Sequence, residues 1–171
     1  MVNCTRPDLR KKEKKRPEGT MMINGPGDLL TLDKNYWHNL SGRASKMSGS
    51  GAVVQVTNNY MANNAGHDFE TYDGTTSLIE GNVLEGVTLP FDGTAGNTYN
   101  VPDSASSTAC ACYLGRNCPV NTITNSGTWP SLKVVAALAK FKQYDASYLV
   151  TPTSASVFKV SVLANAGVGK V

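Results

Sequence analysis

Five charged or titratable side chains, set in two short stretches, carry the most evident chemistry of the sequence. Ser41-Gly-Arg-Ala-Ser-Lys46 places two cations, Arg43 and Lys46, three residues apart. Ala65-Gly-His-Asp-Phe-Glu70 sets His67 beside two carboxylates, Asp68 and Glu70. Paired cations suit the stabilisation of negative charge developing on an oxygen. His67 is the residue whose ordinary pKa best fits a general base near neutral pH. Two carboxylates can hydrolyse a glycosidic bond from opposite sides, but Asp68 and Glu70 lie too close along one turn to flank a sugar.

The elements that position these residues follow from a repeat. Leu29-Leu-Thr-Leu-Asp-Lys-Asn35-Tyr-Trp-His-Asn-Leu40 aligns without gaps with Val53-Val-Gln-Val-Thr-Asn-Asn59-Tyr-Met-Ala-Asn-Asn64 and with Thr76-Ser-Leu-Ile-Glu-Gly-Asn82-Val-Leu-Glu-Gly-Val87. The asparagines Asn35, Asn59 and Asn82 are 24 and 23 residues apart, Leu32, Val56 and Ile79 coincide, and so do Trp37, Met61 and Leu84. Each unit reads as a short strand, a turn carrying asparagine, and a second short strand. A unit of this length without 3.6-residue periodicity fits one coil of a parallel β-helix. The expected fold is therefore all-β, a β-solenoid in which the three asparagines stack as an amide ladder. The same shift of 24 residues sets Arg43 beside His67 and Lys46 beside Glu70 on one edge of the solenoid. Loops on one face of a solenoid commonly form its binding surface.

Composition agrees with a turn-rich chain. Of 171 residues, 40% are apolar and 17% charged, and 16 are glycine. No run reaches the roughly 18 to 20 apolar residues of a membrane-spanning helix, so no membrane partner is expected. The formal charge of +3 is unevenly spread. Residues 1–18 hold seven Lys/Arg against three Asp/Glu, and the remainder holds nine against ten. Residues 1–23 thus read as a basic, solvated segment, distinct from a nearly neutral body over residues 24–171, and no nucleic-acid partner is expected. The start has no apolar h-region, so it does not read as a signal peptide.

After the coils, Asp92 to Thr108 reads as a long polar loop. Ser131-Leu-Lys-Val-Val-Ala-Ala-Leu-Ala-Lys-Phe-Lys142 reads as an amphipathic helix starting near a Ser N-cap, and Thr153 or Ser154 can cap a second helix ending before Gly167. These segments form a helical tail expected to cover a hydrophobic flank of the solenoid. Cys4, Cys110, Cys112 and Cys118 leave pairing open by spacing alone, and a zinc site from the last three lacks a nearby fourth ligand. Sequons occur at Asn3-Cys-Thr5 and Asn39-Leu-Ser41, the second beside Arg43.

Several of these motifs share a resemblance. Asn35-Tyr-Trp-His-Asn-Leu-Ser-Gly-Arg-Ala-Ser-Lys-Met47 resembles the microbial pectin lyase segment Asn-Tyr-aromatic followed by Ser-Gly-Arg-x-Pro-Lys-Val. Asn58-Asn-Tyr60, Gly66-His-Asp-Phe-Glu70, Glu80-Gly-Asn-Val83, Cys110-Ala-Cys-Tyr-Leu-Gly-Arg-Asn-Cys118 and Leu163-Ala-Asn-Ala-Gly-Val-Gly-Lys170 follow in the family's order. The resemblance runs from about Gly27 to the C terminus. It implies a right-handed parallel β-helix, and a secreted, monomeric polysaccharide lyase that cleaves methyl-esterified polygalacturonate by β-elimination without an added cofactor. It places the family's catalytic arginine on Arg43 and a substrate-contacting lysine on Lys46, with His67 and Glu70 as supporting residues. It also pairs Cys110 with Cys118. Calcium-dependent pectate lyases and inactive carbohydrate-binding relatives are the neighbouring alternatives. Complete members carry a signal peptide and further coils ahead of the Asn35 unit, so the chain is expected to be a C-terminal portion. Ser45 replaces the family's proline, which predicts a looser turn, and Asp68 replaces a small residue, which predicts an added negative charge near Arg43.

Overall fold

The computed structural model describes residues 21–144 and 146–166. The expectation for residues 1–20, and the sequon and cysteine within them, lie outside the described residues. Three four-stranded parallel sheets run along the solenoid. The first contains β1 (Met21–Ile23), β4 (Ser45–Met47), β7 (His67–Thr71) and β10 (Leu89–Gly93) in that order. The second contains β2 (Leu29–Asp33), β5 (Val53–Thr57), β8 (Thr76–Glu80) and β11 (Asn97–Tyr99). The third contains β3 (Tyr36–His38), β6 (Tyr60–Ala62), β9 (Val83–Glu85) and β12 (Thr122–Thr124). The chain visits the sheets in turn, which makes a parallel β-helix of about three turns. Met21–Ile23, grouped with the basic segment in the sequence reading, pairs with β4 as the first strand of the solenoid.

The register is the one the repeat predicts. Leu32 lies opposite Val56 and Val56 opposite Ile79, while Trp37, Met61, Leu84 and Ile123 form a second row. These rows fill the interior together with Ile23, Met47 and Phe69. The amide ladder is present and longer than expected. Asn35 Nδ2 donates to Asn59 Oδ1 at 2.9 Å, Asn59 Nδ2 to Asn82 Oδ1 at 3.0 Å, and Asn82 Nδ2 to Asn121 Oδ1 at 2.9 Å. The backbone N–H of each of the first three asparagines donates to the same oxygen. The residue before each of these three asparagines is left-handed, with φ of 58° at Lys34, 49° at Asn58 and 64° at Gly81. Asparagine and glycine adopt that conformation at low cost, so the repeat encodes the bend as well as the ladder.

Parallel strands tolerate water on neither face well, and the C-terminal segments cover two of the three outer faces. Val53 and Leu78 on the second sheet pack under α2 (Ala111–Leu114) and α3 (Val135–Phe141), in a cluster that includes Ala137, Leu138 and Phe141. Tyr60 and Val83 on the third sheet pack under Phe158 and Val162 of α4 (Ala155–Asn165). Gln55 and Asn58 fasten the linking segment through paired amide bonds to the backbones of Val150 and Thr153, all at 2.8–2.9 Å. No helix among the described residues is long and apolar enough to cross a membrane.

Two tail expectations change. The stretch from Asp92 holds the end of β10, all of β11, and α1 (Ser104–Ala109), whose N-cap is Asp103. The first amphipathic helix starts at Val135 rather than near Ser131, because Lys133 bridges Tyr99 and Asn100 holds Leu132 at the sheet edge. The second helix begins after Ser154 as expected. Cys110 and Cys118 are joined in a disulfide, which removes both from any zinc site, and Cys112 is free and exposed.

Replacing Asn59 by Ala tests the ladder. It removes the acceptor of the half-buried Asn35 N–H groups, a donor to the carbonyls of Leu32 and Thr57, and the amide that bonds Asn82, so urea unfolding should report a loss of about 2–5 kcal/mol. An effect under about 0.5 kcal/mol would show the ladder to be incidental.

Candidate active site

The first sheet is the one outer face that the tail clusters do not cover among the described residues. The expected site residues lie on it. Lys46 pairs with Glu70 across β4 and β7, and Asp92 on β10 continues that row, while Leu89 lies opposite His67. Arg43 sits in the turn before β4. The equivalent turns stack closely enough that a Cβ on Gly66 would collide with the carbonyl oxygen of Gly42. Glycine before His67 is therefore what lets the two coils close on each other.

Glu70 is the centre of the constellation. It is 1% exposed, and its two oxygens divide the surrounding donors. Oε2 accepts from Arg43 Nε and, at 2.8 Å, from His67 Nε2. A carboxylate only accepts, so the His67 proton must reside on Nε2. Oε1 accepts from the Tyr72 hydroxyl and lies 3.9 Å from the Lys46 ammonium. Burial pushes the Glu70 carboxyl upward, but the Tyr72 hydroxyl, the Arg43 guanidinium and His67 together hold it below the usual carboxylate range. The site thus keeps a buried anion charged by surrounding it with donors.

Exposure increases outward from that anion. The Lys46 side chain is 24% exposed and that of Arg43 43%. Arg43 is bound through Nε, and its two terminal nitrogens have no hydrogen-bond partner among the described residues. Among those residues nothing else engages them, which leaves them available to a ligand on the open face. Arg43 and His67, expected side by side, meet on one oxygen of Glu70. Tyr72 and Asp92 join the group although the sequence reading did not single them out. Asp92 Oδ2 lies 3.9 Å from His67 Nδ1. Both had a readable signal: Tyr72 is two residues beyond Glu70, and Asp92 occupies the Glu70 position of the next coil.

Two expected departures come out differently. Ser45 is fully buried, pairs with Met21 and Phe69, and donates through Oγ to the Asp68 carbonyl at 3.1 Å. Sheet pairing therefore fixes the position that proline would otherwise restrict. Asp68 does not supply a charge to Arg43. Its side chain is buried, Oδ1 accepts from Asn64 Nδ2 at 2.8 Å, and Oδ2 has no partner among the described residues. Burial raises its pKa to about 7, so it is largely a neutral acid below that pH.

Comparison with known proteins agrees with the family resemblance. Pectin lyase B of Emericella nidulans is 36% identical over 157 residues, which are 86% of this chain and 38% of that protein. The chain is homologous to pectin lyases. Probable pectin lyase D of the same organism is 34% identical over 159 residues, 88% of this chain and 39% of its own length. Probable pectin lyase A of Aspergillus oryzae is 35% identical over 143 residues, 83% of this chain and 34% of its own. This pectin lyase homologue spans about two fifths of these relatives, in line with a C-terminal portion. No protein-family model matches the chain.

The buried Asp68 acid generates a pH test. Its folded pKa of about 7 lies above its ordinary 3.8, so the folded form holds its proton more tightly than the unfolded chain. That contribution is complete below about pH 4 and is lost as pH rises through about 7. Asp68→Asn should leave stability below about pH 4 little changed and raise the unfolding midpoint near about pH 8 relative to the parent. An unchanged pH dependence in the variant would mean Asp68 ionises without penalty.

Proposed function

We propose that this site acts in eliminative cleavage of methyl-esterified polygalacturonate, the reaction of a pectin lyase, with Arg43 as the catalytic residue and Lys46 as a substrate contact. The observation that carries this reading is the pair of partly exposed cations, Arg43 and Lys46, held by one buried carboxylate on the uncovered sheet. Homology to proteins named pectin lyases supports it. In the elimination, a base takes the C5 proton and the electron pair of the C5–H bond is held as an enolate on the ester. Its return forms the C4=C5 double bond as the C4–O glycosidic bond breaks, and the departing oxygen takes a proton from solvent. Negative charge develops on the ester carbonyl oxygen as the C5 proton leaves. The terminal nitrogens of Arg43 and the ammonium of Lys46 are suited to meet it, because preorganised donors on a partly desolvated face lower the barrier without reorganising.

Removing the C5 proton needs a base, and the family resemblance gives that task to Arg43. A guanidinium is charged at any ordinary pH, so the role its chemistry supports most directly is electrostatic. His67 is committed through Nε2 to Glu70 and acts as a support that orients the cluster. The nearly neutral body accords with a polymer whose carboxylates are masked as esters. We further propose secretion, an assignment that the Cys110–Cys118 disulfide supports, since such bonds persist in oxidising compartments.

The test follows unsaturated product by absorbance from highly methylated pectin, with and without a chelator. Product formation insensitive to chelator is expected. Arg43→Ala and Arg43→Lys should lower kcat by about 10²–10³-fold. Chelator-sensitive cleavage of unesterified polymer would make the chain a pectate lyase, and binding without product would make it an inactive relative. Unchanged turnover in the Arg43 variants would remove Arg43 from the mechanism.

A further inference from the structure

Lys46 lies within reach of two groups. Its ammonium stands 3.9 Å from Glu70 Oε1, longer than a direct hydrogen bond, and 5.0 Å above the centre of the Tyr72 ring. The Tyr72 hydroxyl donates to that same Oε1. Oxygen Oε2 is already taken by Arg43 and His67. If Oε1 were open, a flexible lysine beside it would close onto it as a contact ion pair and spend its donors inside the protein. The hydroxyl takes one lone pair of that oxygen and competes with the ammonium for it, and the face of the ring offers the ammonium an alternative seat by cation–π attraction. The bond to Glu70, burial and the nearby carboxylates raise the Tyr72 pKa, so the hydroxyl keeps its proton and stays a donor.

We propose that Tyr72 is a positioning residue of this site: its hydroxyl competes with the Lys46 ammonium for one oxygen of Glu70 and its ring seats that ammonium, which keeps the lysine's donors directed to a uronate methyl ester on the open face. This rests on the reading of Lys46 as a substrate contact. Tyr72 itself needs no contact with the reacting atoms.

The experiment has an arm that does not depend on turnover. NMR of the full chain should show the Lys46 ε-methylene protons shifted upfield by the Tyr72 ring, and the shift should vanish in Tyr72→Ala. In Tyr72→Phe, which keeps the ring and nearly the same volume, the Glu70 carboxyl should titrate at higher pH than in the parent. In the activity arm, Tyr72→Phe and Tyr72→Ala should raise KM for methylated pectin by about two- to fivefold, with kcat less affected. Restoring the ring alone, from Ala to Phe, should recover part of that KM. Absence of the upfield shift in the parent, or an unmoved Glu70 titration in Tyr72→Phe, overturns the positioning role. So does an active parent whose KM neither variant changes. A parent that makes no product, yet shows both NMR signatures, refutes the lyase reading and leaves the Lys46–Tyr72–Glu70 arrangement established.

Discussion

A carboxylate withdrawn from water survives as an anion only where donors replace the lost solvent, and Glu70 imposes that requirement on the whole open face. Desolvating an ion of this size costs several kcal/mol even after relaxation. The cost is offset by Arg43, His67 and Tyr72 in contact and Lys46 at longer range. These residues come from adjacent coils: Arg43 from a turn, Lys46 from β4, His67 from β7 and Tyr72 from the position just past β7. Each is held at a defined place relative to the others because each answers the same two oxygens. The cations that face outward are thereby fixed before any ligand arrives, which is what electrostatic preorganisation demands.

Such a cluster is possible only if coils stack in strict register. The asparagine ladder provides that register from within, since Asn59 and Asn82 each accept from the amide on one side and donate to the amide on the other. A slip of one residue would break every rung and would also carry Lys46 away from Glu70. The tail completes the division of labour. Two sheets are roofed by α2, α3 and α4, and the first is left open. Gln55 and Asn58 clamp the segment between α3 and α4 by reciprocal amide bonds, so the roof is tied to the same coils that carry the ladder.

Much of this was readable from residue spacing. The 24-residue shift aligns Lys46 with Glu70, and the apolar rows of Leu32 and Trp37 with their successors, because parallel coils repeat both backbone and pattern. The fourth rung was not readable. Asn121 follows Asn82 by 39 residues, and α1, α2 and the disulfide loop interrupt the period between them. The contact from Arg43 to Glu70 was missed for a different reason. It runs diagonally between coils, 27 residues apart, and depends on side-chain reach rather than on register. The start of α3 was misplaced because backbone pairing of Leu132 and Lys133 against the last coil overrides a local N-cap signal. Asp68 was read as a charge since sequence gives residue type without burial.

The central claim is that Glu70 holds Arg43 energetically and not by mere proximity. A double-mutant cycle on urea unfolding near neutral pH, with Glu70→Gln, Arg43→Met and the pair, measures this directly. The account predicts non-additivity, with a coupling of about 1 kcal/mol or more. Single-variant effects that add to within about 0.3 kcal/mol would contradict it.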